Sequence, residues 1–224
     1  EEEIERLIEA HVVAAKRVEA AGLAGVEIHA AHGFLPAQFL SRTSNERSDR
    51  WGGDLAGRAR FLRELVSAVR RATGTDFIVG VRLSPEDERH GIFLGETAEV
   101  GAALADDGVD YLHLSLGDAF ARARSNPALH PLEVIRAAVP PGVAIVAAGS
   151  VWTPAQAAQA VALGADVVAL GLAGIVNPDW PEQAREPNWS PARPPRTAEQ
   201  LATAGVTTPF LTYLRQDWPG FVMP

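Results

Sequence analysis

The sequence of 224 residues contains no cysteine. Disulfides and thiolate chemistry within the chain are therefore excluded, and the composition fits a cytoplasmic protein. It contains one lysine, Lys16, inside a stretch of helical periodicity. A Schiff-base aldolase needs a lysine at a strand end, so that barrel chemistry is excluded as well. No apolar run reaches the roughly 18 residues of a transmembrane helix, and no membrane partner is expected. The opening Glu1-Glu2-Glu3 is unlike a signal peptide. The formal net charge is −8 and no basic stripe is present, so nucleic acid is not an expected partner.

What is there suits one large domain, or one and a half small ones. The hydrophobic content of 47% can bury a substantial core, and 20 glycines and 16 prolines suit many short connections. Ile4, Leu7, Ile8, Val12, Ala15 and Val18 recur at helical spacing, which predicts a helix over 3–21 stopped by Gly22. Strands are expected at 25–29, 77–83, 109–115, 143–147 and 166–170. Helices are expected between them at 55–73, 96–106, from Pro131, and from Pro154 to Gly164. Thr153 and Gln156 have the spacing of a capping box. Such alternation means a parallel sheet with helical crossovers. From 182 onward the character changes, with seven prolines from Pro187 to Pro224. This extension is expected to pack back on the body through Phe210, Tyr213 and Trp218, with Thr197 and Gln200 capping a short helix.

The stretch Val26–Gly53 organises the chain. Period 2 puts Glu27 and His29 on one strand face, with Val26 and Ile28 on the other. His29 and His32 fall where the strand gives way to a loop, the end at which chemistry collects in parallel α/β proteins. A single His in a strand is commonly a satisfied core group; two His three apart at a strand end point to function. A long polar loop with five charged residues from Arg42 to Arg50 follows, closing on Trp51-Gly52-Gly53. Arg82 interrupts an apolar strand near its carboxyl end. A buried unpaired charge is costly, so it needs an anion, either a ligand or an internal partner such as Glu27. His113 is left unassigned. Glycines after the last two strands, Gly149 with Ser150 and then Gly171, have the placement of a phosphate site. No acidic or His partners recur at other strand ends in a ligand pattern, so a metal-dependent hydrolase built on His29 and His32 is not expected.

Two segments, EIHAAHGFL and QFLSRTSNERSDRWGG, followed by VRLSP at 81–85, VDYLHLS at 109–115, IVAAGSV at 145–151 and VVALG with NPDW at 167–180, resemble the old yellow enzyme family of FMN-dependent oxidoreductases. The resemblance covers the chain to about residue 181. It implies a TIM (β/α)8-type barrel, of which these are the last five βα units. The expected division is a partial barrel at 1–181 and a Pro-rich extension at 182–224. The three missing units carry much of the family's flavin bed. The resemblance implies hydride transfer from NAD(P)H through FMN to an activated alkene. His29 and His32 would hold the oxygen of an enone-like small molecule, with Phe34 beside them. Arg82 would lie near the flavin ring, and Gly149, Ser150, Gly171 and Leu172 near its phosphate. Where the family has a proton-donating Tyr this chain has Phe34, which has no proton to give. Where the family has an Arg on the phosphate it has Leu172. A non-catalytic or weakly flavin-binding relative is the alternative. A homo-oligomer is compatible with the sequence.

Overall fold

The computed structural model describes residues 1–223, so Pro224 lies outside the described residues. Helix α1, Glu2–Ala20, turns Ile4, Val12 and Ala15 inward, and the chain leaves it through Gly22 at φ 77°. In that left-handed conformation a Cβ is strained, which is why glycine serves there. Strand β1 is Gly25–Ala30 and is followed by α2, Leu35–Leu40. The sequence reading placed a loop at α2. The helix has six residues and no capping side chain, too short to show an apolar period.

Helix α3, Leu55–Ala72, starts where the Asp54 carboxylate accepts the Gly57 N–H. It buries Phe61, Leu62, Leu65, Val66 and Val69. Side chains of this size contribute about 1.5–3 kcal/mol each when fully buried. The remaining units are β2 (Ile78–Leu83), α4 (Leu94–Asp106), β3 (Tyr111–Ser115), α5 (Pro131–Ala138), β4 (Ala144–Ala148), α6 (Pro154–Ala162), β5 (Val167–Ala169) and α7 (Leu172–Val176). Helix α6 begins with the expected capping box of Thr153 and Gln156. Strands and helices therefore alternate as the sequence predicts, with ends shifted by one or two residues.

The five strands form one parallel sheet in sequence order, β1 to β5. This is a partial barrel of the (β/α)8 type. Ile28, Val79, Val81, Leu83, Leu112, Leu114 and Ile145 point to the helices and form the main core. The register aligns His29 with Arg82 and Arg82 with His113 across three strands. Glu27, Gly80 and Tyr111 align one pleat below. These residues share the other, open face, on which Ile78 and Val167 are 43% and 51% exposed.

After α8, Trp180–Gln183, the extension carries α9, Ala198–Thr203, and α10, Thr208–Asp217. Thr197 and Gln200 form the expected capping box. A second cluster joins Leu201, Leu214 and Phe221 to Val176 of α7. The aromatic anchors expected there are not the ones used. Phe210, Tyr213 and Trp218 are all exposed, and Phe210 stacks on Tyr213 instead. Helical period explains the correction, because α10 turns Leu211 and Leu214 inward and its aromatic residues away.

Candidate active site

The site stands at the carboxyl ends of β1, β2 and β3. His29 is the next-to-last residue of β1 and His32 lies just beyond it. His32 adopts φ 57°, a left-handed conformation uncommon outside glycine. Such a conformation costs about 1–3 kcal/mol and persists where surrounding contacts over-determine it. Here the Ser84 hydroxyl accepts the His32 backbone N–H at 3.4 Å, and His32 Nε2 is 2.7 Å from Ser115 Oγ. The two imidazoles stand edge to face with centroids 5.0 Å apart. Phe34 leans on His29 at 4.6 Å and is 57% exposed. Burial, then the neighbouring Arg82 charge, hold both histidines below the ordinary imidazole value. Both are therefore neutral at pH 7, and each carries one N–H donor.

Arg82 makes no ion pair among the described residues; Nη2 donates to Ser115 Oγ at 3.1 Å. Of the two partners open to it in the sequence, Glu27 is already engaged. The Glu27 carboxylate accepts Tyr111 Oη–H at 3.0 Å and lies 2.9 Å from His113 Nδ1. Gly80 lets the Tyr111 ring cross β2, since a Cβ there would stand 2.0 Å from Tyr111 Cζ. Burial, then the Glu27 charge, push Tyr111 up to about 12. The row above is left short of partners. His29 Nδ1, Arg82 Nε and His113 Nε2 are all buried without a hydrogen bond. A buried polar atom without a partner costs about 1–3 kcal/mol, so a cluster of three in one row calls for a polar ligand.

The glycine turns follow β4 and β5. Gly149 has φ 154° and no room for a side chain, because a Cβ would meet Leu116 O at 2.4 Å. Ser150 is also left-handed, at φ 52°, and its hydroxyl donates to Gly117 O. Gly171 caps α7, whose first residue is Leu172. The N–H groups of Gly149, Ser150, Gly171 and Leu172 donate to no other backbone group among the described residues.

Structure thus gathers His29, His32, Phe34 and Arg82 into one cluster and sets the glycine turns at the neighbouring strand ends. It adds Ser115, Ser84, Glu27, Tyr111 and His113, to which the sequence reading gave no role in a site. For three of them the signal was the period-2 pattern of β3, which puts Tyr111, His113 and Ser115 on one face.

A parallel sheet of βα units, with its polar cluster at the carboxyl strand ends, is the layout of a (β/α)8-type barrel with its site at the usual end. Residues 1–188 match the NADH:flavin oxidoreductase / NADH oxidase family, and the chain belongs to that family. The old yellow enzyme resemblance is thereby borne out, and the family's cofactor is FMN. A probable NADH-dependent flavin oxidoreductase of Bacillus subtilis, YqiG, is 37% identical over 193 residues, covering 83% of this chain and 52% of that protein. Morphinone reductase in complex with tetrahydroNAD superposes with a TM-score of 0.71 at 32% identity, over 89% of this chain and 53% of its own. A 2-naphthoyl-CoA reductase complex superposes with a TM-score of 0.71 at 33% identity, over 81% of this chain and 29% of its own. The chain thus spans about half the length, or less, of these relatives. No described helix is long and apolar enough to cross a membrane.

Proposed function

We propose that this chain supplies the substrate-holding side of an FMN-dependent oxidoreductase that passes hydride from NAD(P)H to an activated alkene such as an enone. The observation that carries the reading is the row of buried, unpartnered nitrogens, His29 Nδ1, Arg82 Nε and His113 Nε2, on and beside an arginine with no ion pair among the described residues. A planar anionic group with acceptor atoms fits that row. Arg82 would hold such a ring, while the backbone N–H groups at Gly149, Ser150, Gly171 and Leu172 would hold its phosphate. When bound, FMN supplies the hydride. His29 and His32 offer N–H donors to the substrate oxygen, on which negative charge grows as the β-carbon is reduced. Each such donor is worth about 2.7–4 kcal/mol in the transition state. Phe34 packs against the side of the His29 ring.

The same proposal covers the division into a barrel part at 1–181 and an extension at 182–224, supported by the run of prolines that breaks up the chain from Pro187 onward. It also covers a cytoplasmic location, supported by the cysteine-free composition. A second reading, a weakly flavin-binding relative without rapid turnover, is favoured by Phe34 and Leu172, which lack the donors usual at those positions.

The test is phenol binding to the FMN-loaded protein. A phenolate held by two imidazole donors above the flavin gives a long-wavelength charge-transfer band. His29→Ala with His32→Ala should abolish that band. Retention of the band in the double variant would sink the site assignment. Lack of FMN uptake by the unmodified protein would favour the second reading.

A further inference from the structure

The hydroxyl of Ser115 joins two groups that the proposed function uses separately. It lies 3.1 Å from Arg82 Nη2 and 2.7 Å from His32 Nε2. A guanidinium nitrogen only donates, so Oγ must accept from Arg82. A serine hydroxyl has one hydrogen of its own, and among the described residues its only other partner is His32 Nε2. Spending that hydrogen on Nε2 makes both bonds at once and leaves no hydroxyl hydrogen idle. A neutral imidazole then carries its single proton on Nδ1.

We propose that Ser115 is a positioning residue that fixes the His32 imidazole, holding Nε2 as an acceptor so that Nδ1–H is the donor offered to the substrate oxygen. The proposal rests on the reading of His32 as an oxygen-holding residue. Without the hydroxyl, the His32 ring can place its proton on either nitrogen and rotate about its side-chain bonds. The left-handed backbone at His32 fixes where that side chain starts, and Ser115 fixes where it ends. The charged and titratable groups acting on His32 are Arg82, His29, Asp87 and His113, of which only Asp87 favours the protonated ring. A neutral ring is what an accepting Nε2 requires.

The experiment uses protein with 15N-labelled histidine, with His32 assigned by the loss of its signals in His32→Gln. Long-range proton–nitrogen correlation should show Nδ1 protonated and Nε2 bare. In Ser115→Ala the proton should redistribute toward Nε2, and the His32 titration should move to higher pH, because nothing donates to bare Nε2 any longer. Binding of a para-substituted phenol to the FMN-loaded protein should weaken about tenfold, the worth of one hydrogen bond. Ser115→Thr, which restores the hydroxyl, should restore tautomer, titration and affinity. A proton on Nε2 in the unmodified protein overturns the proposal. So does an unchanged tautomer and titration in Ser115→Ala when His32→Ala abolishes phenol binding; that result leaves the oxygen-holding reading standing. If His32→Ala binds phenol undiminished, that reading falls and the proposal falls with it.

Discussion

The segment from Ser41 into the first turn of α3 at Arg58 and the row His29–Arg82–His113 each put an arginine into the protein interior, with opposite outcomes. Arg58 is 6% exposed and spends its donors on Leu40 O at 3.0 Å, Gly53 O at 2.8 Å and Glu96 Oε1 at 2.5 Å. Glu96 also takes two donors from Arg42. Burial alone would raise the Glu96 carboxyl, but the hydrogen bonds from Arg42 and Arg58 outweigh it and hold it below the usual range. Asn45 closes the loop on Phe39 O and Trp51 O, and Gly52 fits because a Cβ would strike Arg47 O at 2.3 Å. Trp51 Nε1 is the exception, buried without a partner. Arg82, by contrast, has one hydroxyl for a partner and a buried Nε with none. Saturated polar groups are architecture, and a row of unsatisfied ones is where a ligand belongs. The long charged motif that makes the family legible is thus mostly a clamp. The proposed chemistry falls to a few residues around it.

The comparison breaks first on stability. Glu96→Ala strands Arg58 without its counter-charge and should cost about 3–5 kcal/mol in denaturant unfolding of the protein. Arg82→Ala removes a cation with no ion pair and should cost under about 1 kcal/mol by the same measurement, since it loses a single hydrogen bond. Equal losses would mean that the open row is as structural as the clamp.

Next in size is Phe34→Tyr. General-acid catalysis is worth about 10²–10⁴-fold, and an exposed phenol belongs at the low end, near 10²-fold in the rate of enone reduction. An unchanged rate with the His pair still essential would place protonation at another group. Arg82→Ala should also lower the flavin midpoint potential, by about 30 mV for each tenfold of preferential binding lost. An unchanged potential would remove Arg82 from the cofactor side of the comparison.

The smallest effect concerns the floor of the open face, where Glu27 is saturated. Tyr111 is raised from 10.0 to about 12 in the folded protein, so the folded state holds that proton more tightly. The associated stability is full below pH 10 and lost as pH rises through about 12. Tyr111→Phe should flatten the alkaline limb of the stability profile over that window. A limb that stays as steep would mean another group governs it.

Much of the site was legible because its residues sit at strand ends that period 2 exposes. His29 and His32 at one strand end, and Arg82 near the carboxyl end of another strand, can be placed from the sequence alone. Helix α2 was not legible, since six residues give no apolar period. The anchors of the extension were misjudged because aromatic size is no guide to which side of a short helix faces inward. The sequence by itself determined the order of strands and helices and their caps, because those signals lie within a few neighbouring residues. Only the tertiary structure decided that Glu27 belongs to Tyr111 and His113 rather than to Arg82, and that Ser115 stands between Arg82 and His32. The physical reason is register: these partners are 33 to 86 residues apart in sequence. A slip of one residue between strands would turn every one of those side chains to the opposite face.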